Sequence, residues 1–356
     1  MEQKVKTSFL GDICLNGVYE EMYLTGKKPF KNIKKIFDDD TIVIGNLECF
    51  SRGKDGVNEL KKPRLDTSLD TLNYLKDFNL QIACLANNHV FDHLDDGFEK
   101  TIKFLSENNI EKLGASLDDE IYSQPFILEE NGIKIGLLNY VTKDTNPNAP
   151  EGTKVNLNWF DVDKTVTEIN GIKDKVDHVV IILHWGGRVE GGLYPDFDQP
   201  KTARKLIDAG ADLIIGHHSH TVQPFEVYKG KHIFYSLGNF CFSDFVFECE
   251  NYIMPKRRRS SQIVLVDFNK KSYEVSVKYF FNKNHTLVSN DQYAKQIAFR
   301  NFIFKRFLKY IFFWKLYYFN HLKIMPIVFY LQRDDMSIVE KLGRLKFSKL
   351  KKYIVK

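Results

Sequence analysis

Apolar runs in this chain stop, one after another, at clusters of polar, ligand-type side chains, and that repetition limits the fold more than any other feature. The tightest case is Ala211-Asp212-Leu213-Ile214-Ile215, followed at once by Gly216-His217-His218-Ser219-His220. Thr41-Ile42-Val43-Ile44 runs into Gly45-Asn46-Leu47-Glu48, Leu80 to Leu85 into Ala86-Asn87-Asn88-His89, and Val179 to Leu183 into His184-Trp185-Gly186-Gly187. A short segment at the start likewise ends at Gly11-Asp12. In an open α/β sheet the ligand crevice lies beyond the carboxyl ends of the strands, so residues spread between Asp12 and His220 are placed to converge. Three imidazoles on one strand-end loop point to a metal ion, because neutral imidazole is the commonest nitrogen ligand and a spaced pair such as His218 and His220 presents two rings from one loop.

Between these runs the spacing turns helical. Asp66 to Phe78 carries Leu69, Leu72, Leu75 and Phe78 on one face, Gly97 to Asn108 carries Phe98, Ile102 and Leu105, and Gln199 to Ala209 is closed by Gly210. Ile133 to Val141 reads as a strand, as do Lys231 to Leu237, Gln262 to Asn269 and Tyr273 to Phe281, the last two joined by a hairpin at Asn269-Lys270-Lys271-Ser272. The order is mainly βαβ with antiparallel strands late. It predicts an α/β fold in which helices cover a sheet and the late strands form a second sheet stacked on the first.

With 356 residues there is ample chain for a sizeable interior. Five cysteines form no CxxC pair, which fits a reducing compartment. Met1 to Thr7 leads into the first strand without an apolar signal region, so the expected location is cytoplasmic. The chain has no GxxxxGK[ST], no GxGxxG after its first strand and no GxSxG, which removes the minimal parts of a nucleotide triphosphatase, a dinucleotide enzyme and a serine hydrolase.

Charge is segregated. Residues 300–356 hold 14 Lys and Arg against 3 Asp and Glu, leaving residues 1–299 at −6 in a chain of net +5. Within this tail Phe304, Phe307, Ile311, Trp314, Tyr318 and Leu322 recur at i+3/i+4 spacing while Lys305, Lys309, Asn320 and Lys323 fall opposite, the pattern of a basic amphipathic helix. Lysines at 309, 315 and 323 argue against a membrane span, since each costs about 2.5–3.5 kcal/mol at mid-bilayer. The tail is instead expected to lie on the inner face of the membrane, or to dock its aromatic stripe on the catalytic domain or on another subunit such as a synthase. Nucleic acid as a partner has no supporting motif. The domain division expected from this is 1–285 for the α/β part and 286–356 for the tail.

The series GDICLNG, GNLE, ANNHVFD, HWGG and LIDAGADLIIGHHSHTVQPFEVYKGKHIFYSLGNFCF, running from about Ser8 to Phe242, resembles the bacterial capsule-synthesis CapA family, also called the poly-γ-glutamate capsule or PGA_cap family. That family is similar to a divergent branch of the calcineurin-like metallophosphoesterases. The resemblance implies a four-layer α/β/β/α metallophosphoesterase-like sandwich carrying divalent metal ions, two in number and drawn from Mn, Zn, Fe or Mg. It implies that Asp12 and His220 hold a first metal, that Asn88, His184 and His218 hold a second, and that Glu48 bridges them; an anionic bridge offsets the repulsion of two cations, and neutral ligands leave charge to acidify a water. His89 then stands where a leaving group is protonated, with Asp92 orienting its ring. Asn46, Asn87, His217 and Asn239 are secondary candidates, and Arg188 and Glu190 are expected to reach the site from a lid-like loop extending to Pro200.

One departure stands out: ordinary calcineurin-like enzymes begin Asp-x-His, whereas this chain has Asp12-Ile13-Cys14, so either water and Asn16 or Cys14 fill the gap, or only one metal binds tightly. Two functions follow. One is a metal-dependent hydrolase acting on a phosphoester, amide or ester of an anionic polymer in capsule or exopolymer synthesis. The other is a non-catalytic polymer-binding or assembly subunit of a membrane-associated synthase.

Overall fold

The computed structural model describes residues 3–324 apart from 32, 34, 35, 120, 248 and 249; the side chains of 189, 246, 247 and 250–252 are also outside the description. The tail beyond Ile324, and Cys249, lie outside the described residues. By its contacts the chain forms two compact units, Met1–Asn301 and Phe302–Lys356.

The first unit is built on two sheets. Strands β1 (Val5–Ile13), β2 (Ile42–Leu47), β3 (Leu80–Cys84) and β4 (Glu111–Leu113) run parallel as one half of the first sheet. Strands β5 (Phe126–Glu130), β6 (Ile133–Val141), β7 (His178–His184), β8 (Leu213–His217), β9 (Phe225–Tyr228) and β10 (Lys231–Phe234) form the second, in the order β9-β10-β8-β7-β6-β5 with antiparallel edges. The chain then returns to the first sheet through β11 (Asn239–Cys241), β12 (Ser260–Phe268), β13 (Tyr273–Lys283) and β14 (Thr286–Ser289). Strands β11 to β14 therefore extend the first sheet; the second sheet begins in mid-chain at β5. The expected hairpin is present, with Asn269 Oδ1 accepting from the Lys271 and Ser272 amides.

Strand β7 is buried at every position, as a parallel strand covered on both faces requires. Its alternate residues separate two layers of core. Val180 and Ile182 face Phe9, Ile44 and Ile82 of the first sheet, in a cluster that also takes Ile135, Leu137, Leu213 and Ile215. On the outer side of the first sheet, Leu10, Val43 and Ala83 pack with Tyr19 and Met22 of α1 (Val18–Leu24) and with Phe98, Phe104 and Leu105 of α2 (Leu94–Glu107). Helices α3 (Val162–Ile172) and α4 (Gln199–Ala209) pack together beside the second sheet, burying Ile169, Ala203, Leu206 and Ile207. The order is thus helix, sheet, sheet, helix. Asp161 caps α3 by accepting from the amides of Asp163 and Lys164, and Gly210, at φ 126°, closes α4.

Two expectations shift. Between Asp66 and Phe78 the helix is confined to a 3-10 turn at Asp70–Asn73 and one α turn at Tyr74–Asp77, because Asp66–Thr67 is drawn into a strand pair with Phe50–Ser51 and Ser68 starts the turn by accepting from the Thr71 amide. Residues 286–301, grouped above with the tail, belong to the first unit: β14 pairs with β13, and Tyr293 and Ile297 pack on Val222.

The second unit begins within α5 (Tyr293–Lys309), which stops before Tyr310; α6 (Ile311–Phe319) follows and ends in a π turn at Asn320–Ile324. The expected aromatic stripe is largely an interior one. Trp314 stacks on Phe307 at 6.1 Å and meets Phe304 edge-on at 5.5 Å, and all three are buried with Tyr318. Ile311 and Leu322 of that stripe are exposed, together with Phe312, Phe313, Leu316 and Phe319, with Phe312 69% exposed. Among the described residues no helix is long and apolar enough to cross a membrane.

Candidate metal centre

The carboxyl ends of the central strands of both sheets open at one rim. Asp12 lies near the end of β1, Asn46 in β2 with Glu48 just beyond it, Asn88 and His89 after β3, His184 at the end of β7, and His217, His218 and His220 at and after β8. Two close approaches fix this rim. A Cβ on Gly11 would fall 2.0 Å from the Gly238 carbonyl oxygen, and one on Gly216 would fall 2.0 Å from that of Tyr235, so only glycine fits where neighbouring backbone closes on β1 and β8. His218 and His220 both take positive φ, 90° and 56°, which is strained for a side-chain-bearing residue. The turn is held by Ser219, whose hydroxyl donates to the Thr221 carbonyl and whose own carbonyl accepts from the Gly191 amide.

Glu48 is the centre of the cluster. Its side chain is 0% exposed, and neither carboxylate oxygen has a hydrogen-bond partner. Around Oε1 stand three imidazole nitrogens, Nε2 of His184 at 3.6 Å, of His220 at 3.8 Å and of His89 at 4.0 Å. Those separations are too long for hydrogen bonds, and those to His184 and His220 are close to the roughly 3–3.5 Å between two donors bound to one cation at about 2.0–2.2 Å. His184 Nε2 is also approached by Asn88 Oδ1 at 2.9 Å and by His218 Nδ1 at 3.1 Å, and one ring nitrogen cannot donate to the amide oxygen and accept from the neighbouring ring at once. Two groups of side chains have the spacing of metal ligands: Glu48, His184 and His218, and Asp12, Glu48 and His220. An orphaned buried carboxylate among neutral nitrogen donors is what a divalent cation would satisfy, and the donor set fits one.

Electrostatics agree. Burial, reinforced by the negative charge of Asp12, pushes the Glu48 carboxyl well above its ordinary range. Asp12 is buried too, but hydrogen bonding from His217 and His220 outweighs that penalty and holds it well below the usual carboxylate range. Burial drives His184 well down, with the neighbouring His218 adding to the effect, and takes His218 to about 3. Both rings are therefore neutral, the form that binds metal. His89 is lowered by burial, against the pull of Asp92, whose Oδ2 lies 2.6 Å from His89 Nδ1 and also accepts from the Leu65 amide.

Of the secondary candidates, Asn46 Nδ2 donates to Asp12 Oδ1 at 2.9 Å, His217 Nδ1 lies 2.9 Å from the same oxygen, and Asn239 Oδ1 meets His220 Nδ1 at 2.9 Å. Glu190 lines the hollow in front of the cluster together with Asn88, His89 and His220. Two candidates face elsewhere. Asn87 spends its side chain on the Leu47 carbonyl and the His89 amide, and Arg188 pairs with Asp198 in a separate hollow by Trp185. The gap left by the absent Asp-x-His imidazole is not filled by Cys14, which is buried in the hydrophobic core with Cys49 and Cys241, or by Asn16, which accepts from the Ser243 amide; His217 is the imidazole seated on Asp12. The lid-like loop is fastened, with the Gly192 carbonyl accepting from Thr221 and Gln223 and that of Tyr194 from Gln223. Sequence reasoning missed Lys61 and Arg258, which also line the hollow; both come from irregular segments without a strand-end signature.

Residues 6–244 match the family described as "Bacterial capsule synthesis protein PGA_cap". The chain is 32% identical to the PGA biosynthesis protein CapA of Bacillus subtilis over 244 residues, 67% of this chain and 63% of that protein. It is 28% identical to the capsule biosynthesis protein CapA of Bacillus anthracis over 250 residues, 67% of this chain and 60% of that one. The match thus spans less than two thirds of either relative. Among solved structures, the NAD nucleotidase of Haemophilus influenzae aligns with a TM-score of 0.44 at 12% identity, over 83% of this chain and 55% of that one.

Proposed function

We propose that this chain, which belongs to the bacterial capsule synthesis (PGA_cap) family, is a metal-dependent hydrolase of capsule or poly-γ-glutamate-type exopolymer synthesis, acting on a phosphoester, amide or ester of an anionic polymer. The observation that carries the reading is Glu48, a fully buried carboxylate whose two oxygens lack partners inside a ring of imidazoles. Asp12, Glu48 and His220 would hold one divalent cation, and Glu48, His184, His218 and Asn88 a second. Such cations, when bound, supply Lewis acidity that lowers the pKa of water and polarises a phosphoryl or carbonyl oxygen.

The remaining work falls to the chain's own residues. Asp92 fixes His89 through Nδ1 and leaves Nε2 directed toward Glu48, on the side where a leaving group would meet it; burial lowers the ring's pKa against the pull of Asp92, so His89 would act as an acid once Nε2 has taken up a proton. His217 and Asn46 hold Asp12 in place, and Asn239 does so for His220. Mn²⁺-loaded protein should hydrolyse an aryl phosphate ester or a polyglutamyl peptide, and His184→Ala and His220→Ala should abolish that activity. No turnover with either substrate class across Mn²⁺, Zn²⁺, Fe²⁺ and Mg²⁺ sinks the hydrolase reading.

A non-catalytic role in polymer binding or assembly draws support from Asp12, both of whose oxygens already have partners in His217, Asn46 and the His218 amide. Metal stoichiometry separates the two: two equivalents per chain favour hydrolysis, none favours assembly. In either case the second unit suits an anionic lipid surface at the inner face of the membrane, because exposed Phe312, Phe313, Leu316 and Phe319 stand among Lys305, Lys309, Lys315 and Lys323.

A further inference from the structure

The hollow in front of Glu48 contains cations that the ligand cluster does not use. Lys61 is 4% exposed, and its ammonium, which has three donors to place, makes a hydrogen bond to the Asn146 carbonyl at 2.9 Å. The loop that carries it is anchored beside the site, since the Asn58 amide donates to the Asp92 carbonyl, the Lys61 amide to the Asn58 carbonyl and the Leu65 amide to Asp92 Oδ2. Across the hollow Arg258 is 12% exposed in its side chain; Nη1 donates to Glu190 Oε1 at 2.9 Å, while Nε is buried with no partner. Its guanidinium rests on Gly191, where a Cβ would fall 2.6 Å from Nη2. Its carbonyl accepts from Asn239, whose Oδ1 meets His220, so Arg258 is tied by one side chain to the metal cluster.

Taking Lys61 and Arg258 out of water is costly unless something completes their hydrogen bonds. In and behind the hollow, Asp12, Glu48, Asp92 and Glu190 stand against Lys61, Lys62 and Arg258, so the protein alone is close to balance. Each divalent cation then turns the cavity positive. We propose that Lys61 and Arg258 form an oxyanion subsite that binds a second anionic group of the substrate, a carboxylate or a phosphate, next to the bond at the metal cluster, with Glu190 holding Arg258 in place until that group displaces it. This deepens the metal-dependent reading and rests on it. It assigns the specificity for an anionic chain to two residues that touch no metal, and it makes Glu190 a competitor of the ligand.

The test is calorimetric titration of Mn²⁺-loaded protein with inorganic phosphate and, separately, with glutarate, for wild type, Lys61→Gln, Arg258→Gln, Arg258→Lys and Glu190→Gln. Mn²⁺ titrations and thermal melts run in parallel. The subsite predicts unchanged Mn²⁺ binding, roughly tenfold weaker binding of at least one anion in Lys61→Gln and Arg258→Gln, and partial recovery in Arg258→Lys. It also predicts about threefold or more tighter binding in Glu190→Gln, a gain that misfolding cannot produce. Which anion responds identifies the source, phosphate or carboxylate. Intact Mn²⁺ binding with both anion affinities within twofold of wild type in every variant overturns the proposal. Wild-type protein that takes up no Mn²⁺ refutes the metal reading instead; the same anion titrations on that protein then sustain the subsite if they respond to Lys61 and Arg258 and end it if they do not.

Discussion

Replacing Glu48 by Gln should move stability in opposite directions with and without metal. In the metal-free protein Glu48 is a buried carboxylate with no hydrogen bond and with the Asp12 charge beside it. An unsatisfied buried group costs about 1–3 kcal/mol, and a neutral amide of the same size recovers part of that, so about 1–2 kcal/mol of stabilisation is expected. At roughly 2–4 °C per kcal/mol this raises the melting temperature by about 2–8 °C. Metal reverses the ranking. At a hundredfold excess over Kd a ligand specific to the folded state stabilises wild type by about 2.7 kcal/mol, and loss of the shared ligand should remove most of that gain.

The pH dependence carries the same sign. Because the Glu48 pKa is raised in the folded protein, the folded state binds more protons than the unfolded one between the ordinary carboxylate value and the raised one. Stability of the metal-free protein from this group is therefore greatest at low pH and falls as pH rises through that window. Glu48→Gln should flatten the difference. Differential scanning calorimetry of EDTA-treated protein, with and without Mn²⁺, from pH 5 to 8 reads all three effects. A metal-free Glu48→Gln protein that melts below wild type, or one that keeps the full Mn²⁺ shift, would refute the placement of Glu48 at the centre of a cation site.

Three further outcomes are expected. Gly216→Ala forces a Cβ against the Tyr235 carbonyl oxygen and the Trp185 indole nitrogen, and should destabilise by about 3 kcal/mol in urea unfolding; a change under about 0.5 kcal/mol would show that β8 and β10 can separate there. Asp92→Asn weakens a buried acceptor shared by His89 and the Leu65 amide, so about 1–2 kcal/mol of stability should go and turnover should fall, while Mn²⁺ stoichiometry stays at the wild-type value; lost metal would move Asp92 into the ligand set. Vesicles containing anionic lipid should bind the full chain in a salt-sensitive way, and Phe312→Ser with Phe319→Ser should weaken binding by roughly tenfold; equal binding to neutral vesicles argues against a basic lipid-facing surface.

The candidate site was legible because parallel strands put chemistry at their carboxyl ends. Asp12, Glu48, Asn88, His184, His218 and His220 sit at such ends, and each was found by asking where an apolar run stops. Lys61 and Arg258 were not legible, since a basic residue in an irregular segment gives no periodic signal, and its burial depends on which distant loop lands on it. Arg188 was misjudged for a related reason: nearness in sequence to His184 says little once Gly186, at φ 86°, turns the chain away toward Asp198. In the tail the period is legible but not what covers the stripe: Trp314 and Phe307 find aromatic partners within the unit, while Ile311 and Leu322 of the same stripe stay exposed. The sheet division was missed since β12 and β13 read as an ordinary hairpin, and only pairing with β1 shows to which sheet they belong.

The ligand cluster draws on both sheets. Asp12, Glu48 and Asn88 come from one, and His184, His218 and His220 from the other. A cation seated there works as a rivet through the seam between the two layers, so chelation should loosen more than the cavity: the rims of β1, β7 and β8 would breathe apart together, and their amides would exchange with solvent as one unit.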